Sequence, residues 1–389
     1  MGVVAAACNG VLGIHELAAT TGTPDSGVSD GGVDSAVDSG IVAPPEASVD
    51  AGTDTIACDL DATASDPLNC GACGHSCLGG GCEAGACQPV AVSRPQGAPN
   101  YLALGPGTIY WTETSNNSIA SAPKMGGNAI TLVSSGQTNA PAGIVVDSER
   151  MYWGSTTYNI GLSSCPLATC GAPTLPTPML AGTYSGIFNV ALADGSVYAP
   201  AHGNSQIIQC PVSAPEDASC SYFVQNRPAP NGIAVDDSGV YWTEDGQGGN
   251  AGAIYMCPLS GCPASPTSVA QGRPNPTFIA LDANNVYWLE IQNGMGVLNQ
   301  CQKSNCTNVI ALASGLGNPQ GLAVDSKYVY WVNSVPVGSS GSVQSCTIGD
   351  CETPTTLALS DKPYDIEIDD AAVYWTSDGE DAGIWKLAK

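Results

Sequence analysis

His202 is the one histidine beyond residue 88, and Asp245 stands at the corresponding place one repeat later. Glu113, Glu244 and Glu290 each follow a Tyr-Trp pair by two residues. A histidine opposed by a carboxylate can carry a proton, and a histidine with several carboxylates can hold a divalent cation that polarises a reacting group. His202, Glu113, Glu244 and Glu290 are therefore the candidate catalytic set. The competing reading makes His202 a solvated loop residue and lets backbone N–H groups satisfy the glutamates. One histidine is thin support, so the residues favour recognition over catalysis and the chain is expected not to be an enzyme. There is no HExxH helix, phosphate-binding Walker loop or EF-hand spacing. DLD at 59–61 and DGED at 378–381 are incomplete ligand sets. No cofactor is expected, and a divalent cation such as calcium is the one exception admitted.

The elements that must position these residues follow from a repeat. Tyr110, Tyr152, Tyr198, Tyr241, Tyr287, Tyr330 and Tyr374 lie 42, 46, 43, 46, 43 and 44 residues apart, and all but Tyr198 precede a tryptophan. Each unit reads as four short strands bounded by turn formers, as in APNGIAVD, GVYWTED, GAIYMCPL and PTSVA of the fourth unit. That period and layout predict an all-β, seven-bladed β-propeller of four-stranded blades over 89–389, with Tyr and Trp packed between blades. Six blades is the competing count, because the third unit has Ala199 in place of tryptophan. The seventh unit ends before a fourth strand, and Val90–Ser93 are expected to supply it and so close the ring without an exposed edge.

Cysteines indicate the compartment. Cys165/Cys170, Cys257/Cys262, Cys301/Cys306, Cys346/Cys351 and Cys210/Cys220 each bracket the turn between third and fourth strands, where cross-strand spacing suits a disulfide. A second group, Cys58, Cys70, Cys73, Cys77, Cys82 and Cys87, defines a module at 58–88 too short to bury a core, which three disulfides would hold. Its pairing is open among fifteen possibilities. CGAC at 70–73 has no βαβ context for redox work, and His75 raises zinc as a competing reading.

Residues 18–57 are small, polar and acidic, with no Lys or Arg before Arg94, and read as a disordered linker. Residues 1–17 read as the remnant of an export segment in which VAAAC ends at Cys8. Ten Lys plus Arg against 35 Asp plus Glu give a net charge of −25. Such a chain repels phosphate backbones, which excludes nucleic acid and anionic membrane surfaces as partners.

The blades resemble those of YWTD propellers, in the form with PKMGG or CPxxxC after the third strand that is found in myxobacterial surface proteins of the lipoprotein type. NCGACGHSC followed by GGGCEAGAC is similar to the Stig1-like cysteine-rich module, and VAAAC resembles a lipobox that would lipidate Cys8. The fourth YWTD position reads Glu113, Ser155, Ala201, Glu244, Glu290, Asn333 and Ser377 here. The resemblance implies a cell-surface or outer-membrane lipoprotein, or a secreted protein, touching membrane only through a lipid anchor at Cys8. Its partner would be a protein, peptide or glycan at the cell surface. Long polar loops after the second strands mark the recognition face, with Asn139, Asn231, Asn275, Asn318, His202 and Asp245 expected at the channel mouth. The alternatives are a metal-dependent lyase or lactonase, since streptogramin-type lyases and metal lactonases use propeller channels, and a purely structural envelope protein.

Overall fold

The computed structural model describes residues 62–389 apart from 96, 135–139, 158–160, 171–176, 179–185, 214–219, 247–249, 263–264, 293–294 and 335–339. Cys8, Cys58, Asn139 and the segments assigned to export and linker lie outside the described residues. Seven four-stranded antiparallel sheets form the propeller, the first six running inner to outer in chain order. The last is completed by Val90–Ser93, whose Val90 pairs with Lys386 and whose Ala91 pairs with Trp385. The third unit makes a full blade, with Ser196–Ala201 as its second strand, so the count is seven and not six.

The second strands are apolar without alternation because each blade is covered on both faces. Gly239–Glu244 and Ala372–Ser377 are buried at every position. Trp111, Trp153, Trp242, Trp288, Trp331 and Trp375 are all fully buried. Each packs within clusters that span neighbouring blades: Trp288 and Trp331 share one cluster, and Trp111 shares another with Tyr374. In blades 2, 4, 5, 6 and 7 the inner strand carries a bulge ahead of the residue opposite the tryptophan, with Ile233 pairing Trp242 and Ile366 pairing Trp375. The residue before that partner is crowded: a Cβ on Gly232 would lie 2.1 Å from the Thr277 carbonyl oxygen of the next blade.

Threonine in the YWT motif joins one blade to the next. The Thr243 hydroxyl accepts from the Gly232 N–H at 2.9 Å and donates to the Thr277 carbonyl at 2.7 Å. Thr376 repeats this across the closing seam, accepting from Asp365 N–H at 3.0 Å and donating to the Asn100 carbonyl at 2.7 Å. On the opposite face an aspartate at the end of an inner strand binds its own turn, its tyrosine and a lysine. Asp325 accepts from Lys327 and Tyr328 N–H, from the Tyr330 hydroxyl, and from Lys389 Nζ of blade 7 at 2.9 Å. Lys124 of blade 1 holds Asp369 of blade 7 at 2.8 Å in the same manner. The scarce cations are thus largely committed to seams between blades.

Five disulfides bracket the predicted turns: Cys165–Cys170, Cys210–Cys220, Cys257–Cys262, Cys301–Cys306 and Cys346–Cys351. The module contains Cys70–Cys82 and Cys77–Cys87, and Cys73 is also disulfide-bonded. Every described cysteine is therefore oxidised, which fits an extracytoplasmic, oxidising environment. No helix among the described residues is long and apolar enough to cross a membrane. Cys301 and Cys306 are five apart in sequence. Replacing both by serine is expected to cost about 2 kcal/mol by loop entropy, read as a shift of the urea midpoint. A shift near zero would mean that the hairpin alone sets the turn.

Candidate functional site

The second strands end on the face where the chain passes from one blade's outer strand to the next blade's inner strand. His202 opens a 3-10 turn directly after Ser196–Ala201, and Asp245 directly follows Gly239–Glu244. Each is pinned by its own N–H: His202 donates to the Gly186 carbonyl at 3.2 Å and Asp245 to the Ala229 carbonyl at 3.3 Å. Gly186 and Ala229 have φ of 69° and 46°, so a left-handed residue entering each inner strand turns its carbonyl toward the end of the second strand. The consequence is a side-chain pair across the seam of blades 3 and 4. His202 Nε2 lies 3.1 Å from Asp245 Oδ2, with side chains 32% and 20% exposed. The Phe188 ring meets the imidazole edge-on at 5.6 Å between centroids.

Chemically this is an oriented imidazole. A carboxylate at Nε2 holds the proton there and leaves the accepting lone pair on Nδ1. A proton taken at Nδ1 would make an imidazolium that Asp245 stabilises. Both groups remain partly open to solvent, as a group that meets substrate must.

The glutamates do not join this pair. Glu290, fully buried, accepts from Arg273 at 2.6 and 2.9 Å and from the Trp288 indole N–H at 3.0 Å. Glu244 accepts from Arg227 at 2.6 and 3.0 Å and from the Trp242 indole at 2.8 Å. Burial pushes the Glu244 carboxyl above its ordinary value, with the Arg227 and Trp242 hydrogen bonds opposing. Glu113 takes the Trp111 indole at 3.1 Å, the Ser118 hydroxyl at 2.7 Å and the Asn116 amide at 3.3 Å. Where glutamate holds the fourth position of the repeat motif it is thus an acceptor for a buried indole, a role that carboxylate chemistry in sequence alone does not reveal. Nor do these residues fit a cation with His202, because the glutamates are already saturated by donors. Among the described residues the one group of three metal-capable side chains close enough for a shared ion is Cys70, Cys77 and Cys87. Disulfides occupy those sulfurs. The zinc reading of His75 meets the same obstacle: Nδ1 lies 2.6 Å from the Cys70 carbonyl and Nε2 lies 2.7 Å from the Lys389 carbonyl.

Asn275 and Asn318 precede the inner strands of blades 5 and 6 with φ of 44° and 49°, beside Ala140, Ala229 and Lys362 at equivalent places. Asparagine tolerates this left-handed conformation, so backbone geometry accounts for it there without a ligand. Asn231 lies in the bulge of blade 4, and its carbonyl receives the Asn189 amide at 3.5 Å.

Sequence reading missed a polar cluster inside the closing seam. Tyr101 and Tyr364 meet hydroxyl to hydroxyl at 3.0 Å, and Asp365 accepts from Leu102 N–H at 2.9 Å and Ile366 N–H at 3.0 Å. Asp365 is 4% exposed, and burial pushes its carboxyl up to about 7. Aligning the repeats would have flagged it, since Gly143, Gly232 and Gly321 hold the same register.

No protein family's sequence model matches this chain, and no curated protein sequence matches it. Its fold is shared with solved structures. A streptogramin B lyase superposes with a TM-score of 0.60 at 13% identity, covering 77% of this chain and 97% of that one. The PQQ-bound aldose sugar dehydrogenase of Streptomyces coelicolor superposes with a TM-score of 0.50 at 14% identity, covering 77% and 98%. The expectation that the chain is not an enzyme is therefore corrected: the fold it shares with almost the whole of both chains is one on which a lyase and a dehydrogenase are built.

Proposed function

We propose that the chain is an extracytoplasmic propeller enzyme of the lyase class, with His202 and Asp245 as its proton-transfer pair. The observation that carries this reading is the 3.1 Å contact of His202 Nε2 with Asp245 Oδ2, on a partly open face. The structural likeness to a streptogramin B lyase supports the reaction class. In an elimination, Nδ1 of His202 takes the proton from carbon, the carbon–oxygen bond breaks as the double bond forms, and the departing oxygen receives the proton from the imidazolium. Asp245 keeps the ring oriented and stabilises its charge. Phe188 limits the space beside the ring. The YWTD-like blades, the Stig1-like module, an anchor at Cys8 and a cell-surface location with a protein, peptide or glycan partner belong to this proposal as its setting.

The test is turnover of streptogramin B, and of a panel of lactones and acidic glycans, by the exported and oxidised chain. His202→Gln is expected to lower the rate about a hundredfold, the low end for loss of a general base, at an unchanged unfolding midpoint. Asp245→Asn should shift the pH–rate profile as well as lower it. Turnover that survives His202→Gln, or none on any of these substrates, would overturn the proposal.

A further inference from the structure

A groove of about 880 Å³ runs between blades 6 and 7, on the same face as His202 but at its rim. One wall is the end of the outer strand of blade 6, where Leu359 is 74% exposed. The other is the loop after the second strand of blade 7, with the Trp385 indole behind it. Asp361, Asp378, Glu380 and Asp381 line the groove with Lys362 as the single cation among its lining residues.

Carboxylates alone would be a solvated surface. The independent observation is that a guanidinium already lies here. Arg94 stacks over the Trp385 ring at 4.9 Å and reaches Asp381 at 3.4 Å. Its equivalents behave otherwise. Arg227 and Arg273 also begin an Arg-Pro step, stand 17 residues before a strand-end glutamate, and bind it in both cases. Arg94 is 19 residues before Glu113, because Gln96 and Gly97 are inserted after its proline, and Ser118 and Asn116 have taken the glutamate instead. Released from the seam, the Arg94 side chain rests on the groove wall while remaining 55% exposed, against 73% for Asp381. A pair that open is worth little, so a better-placed guanidinium can displace it. Burial holds the Asp378 carboxyl above its ordinary value, with Lys362 opposing and neighbouring Asp361 adding to it.

We infer that this groove binds an arginine-bearing basic segment of a protein partner, the guanidinium stacking on Trp385 and pairing with Asp381 while an adjacent apolar side chain covers Leu359. Arginine suits the site better than lysine because its planar, weakly hydrated head can stack and pair at once. The inference does not depend on His202, and the −25 net charge steers such a partner toward the protein.

The experiment is calorimetric titration of the full oxidised chain with a short arginine–leucine peptide at low and physiological salt. The peptide is expected to bind, more weakly as salt rises, and its citrulline counterpart is expected not to. Asp378→Asn with Asp381→Asn should weaken binding about tenfold. Arg94→Ala should tighten binding about threefold by vacating the wall. The citrulline comparison uses the unaltered chain, so it decides the matter even where a variant unfolds early. Absence of binding, equal binding of the citrulline peptide or of spermidine, indifference to loss of both carboxylates, or weaker binding by Arg94→Ala would each overturn the inference.

Discussion

Replacing Arg273 by alanine is expected to cost about 3–5 kcal/mol of folding stability, the range for breaking one side of a buried ion pair. Glu290 is wholly buried, and Arg273 supplies two of its three hydrogen bonds at 2.6 and 2.9 Å. Without the guanidinium the carboxylate keeps only the Trp288 indole N–H as a donor, in an environment that cannot solvate it. The loss is a stranded charge more than a missing attraction. The double variant Arg273→Ala, Glu290→Gln should therefore recover most of the stability, because a neutral amide still accepts from the indole. Urea midpoints at constant slope measure both. A single variant that loses less than about 1 kcal/mol would show that water or backbone shift relieves Glu290, and would place the pair with weak surface bridges.

That pair also shows where sequence reading succeeds and stops. Blade number and closure were legible because they rest on period: seven tyrosines at near-constant spacing, and a final unit whose missing strand sits at Val90–Ser93. Cysteines bracketing a turn were legible for the same reason, since two residues flanking a tight hairpin face each other. His202 and Asp245 were legible as equivalent positions of adjacent repeats, which the fold brings to 3.1 Å. Partnerships between different motif positions were not. Glu113, Glu244 and Glu290 share a strand end with His202, yet their chemistry is decided by an arginine in the preceding connection, or by its displacement in blade 1. A fixed 17-residue interval between Arg-Pro and YWxE was the available signal, and the 19-residue interval at Arg94 was its informative exception. The scaffold of an enzyme and that of a binder have the same period, so the repeat itself carried no information on catalysis.

The second large effect lies in the closing seam, where Asp365 makes stability fall as pH rises. Its carboxyl is pushed by burial from 3.8 up to about 7, against the N–H donors of Leu102 and Ile366. Between those values the folded chain holds a proton that the unfolded chain has released, so stability is greatest at the acid end and declines through the window. At about 1.4 kcal/mol per pH unit, the decline from pH 4 to pH 7 is about 4 kcal/mol, flat above. Tyr101 and Tyr364 face the same carboxyl and stay neutral throughout, since burial first and Tyr364 second push Tyr101 up, and burial pushes Tyr364 up against the Tyr101 hydrogen bond. Glu244, also raised by burial, works in the same direction. Asp325 and Asp369 work in the opposite one and at lower pH: despite burial, Lys389 and Lys124 with backbone N–H donors hold them below their ordinary value, so their stability is lost on acidification below about pH 4. Optimum stability is thus expected near pH 4–5. Asp365→Asn separates the causes by slope, which remains readable even if the amide sets one N–H against another and lowers stability overall. Removal of most of the decline between pH 5 and pH 7 assigns it to the seam. A slope unchanged in Asp365→Asn would return it to Glu244 and Asp378, and would mean that the contact between the first and last blades does not change with protonation.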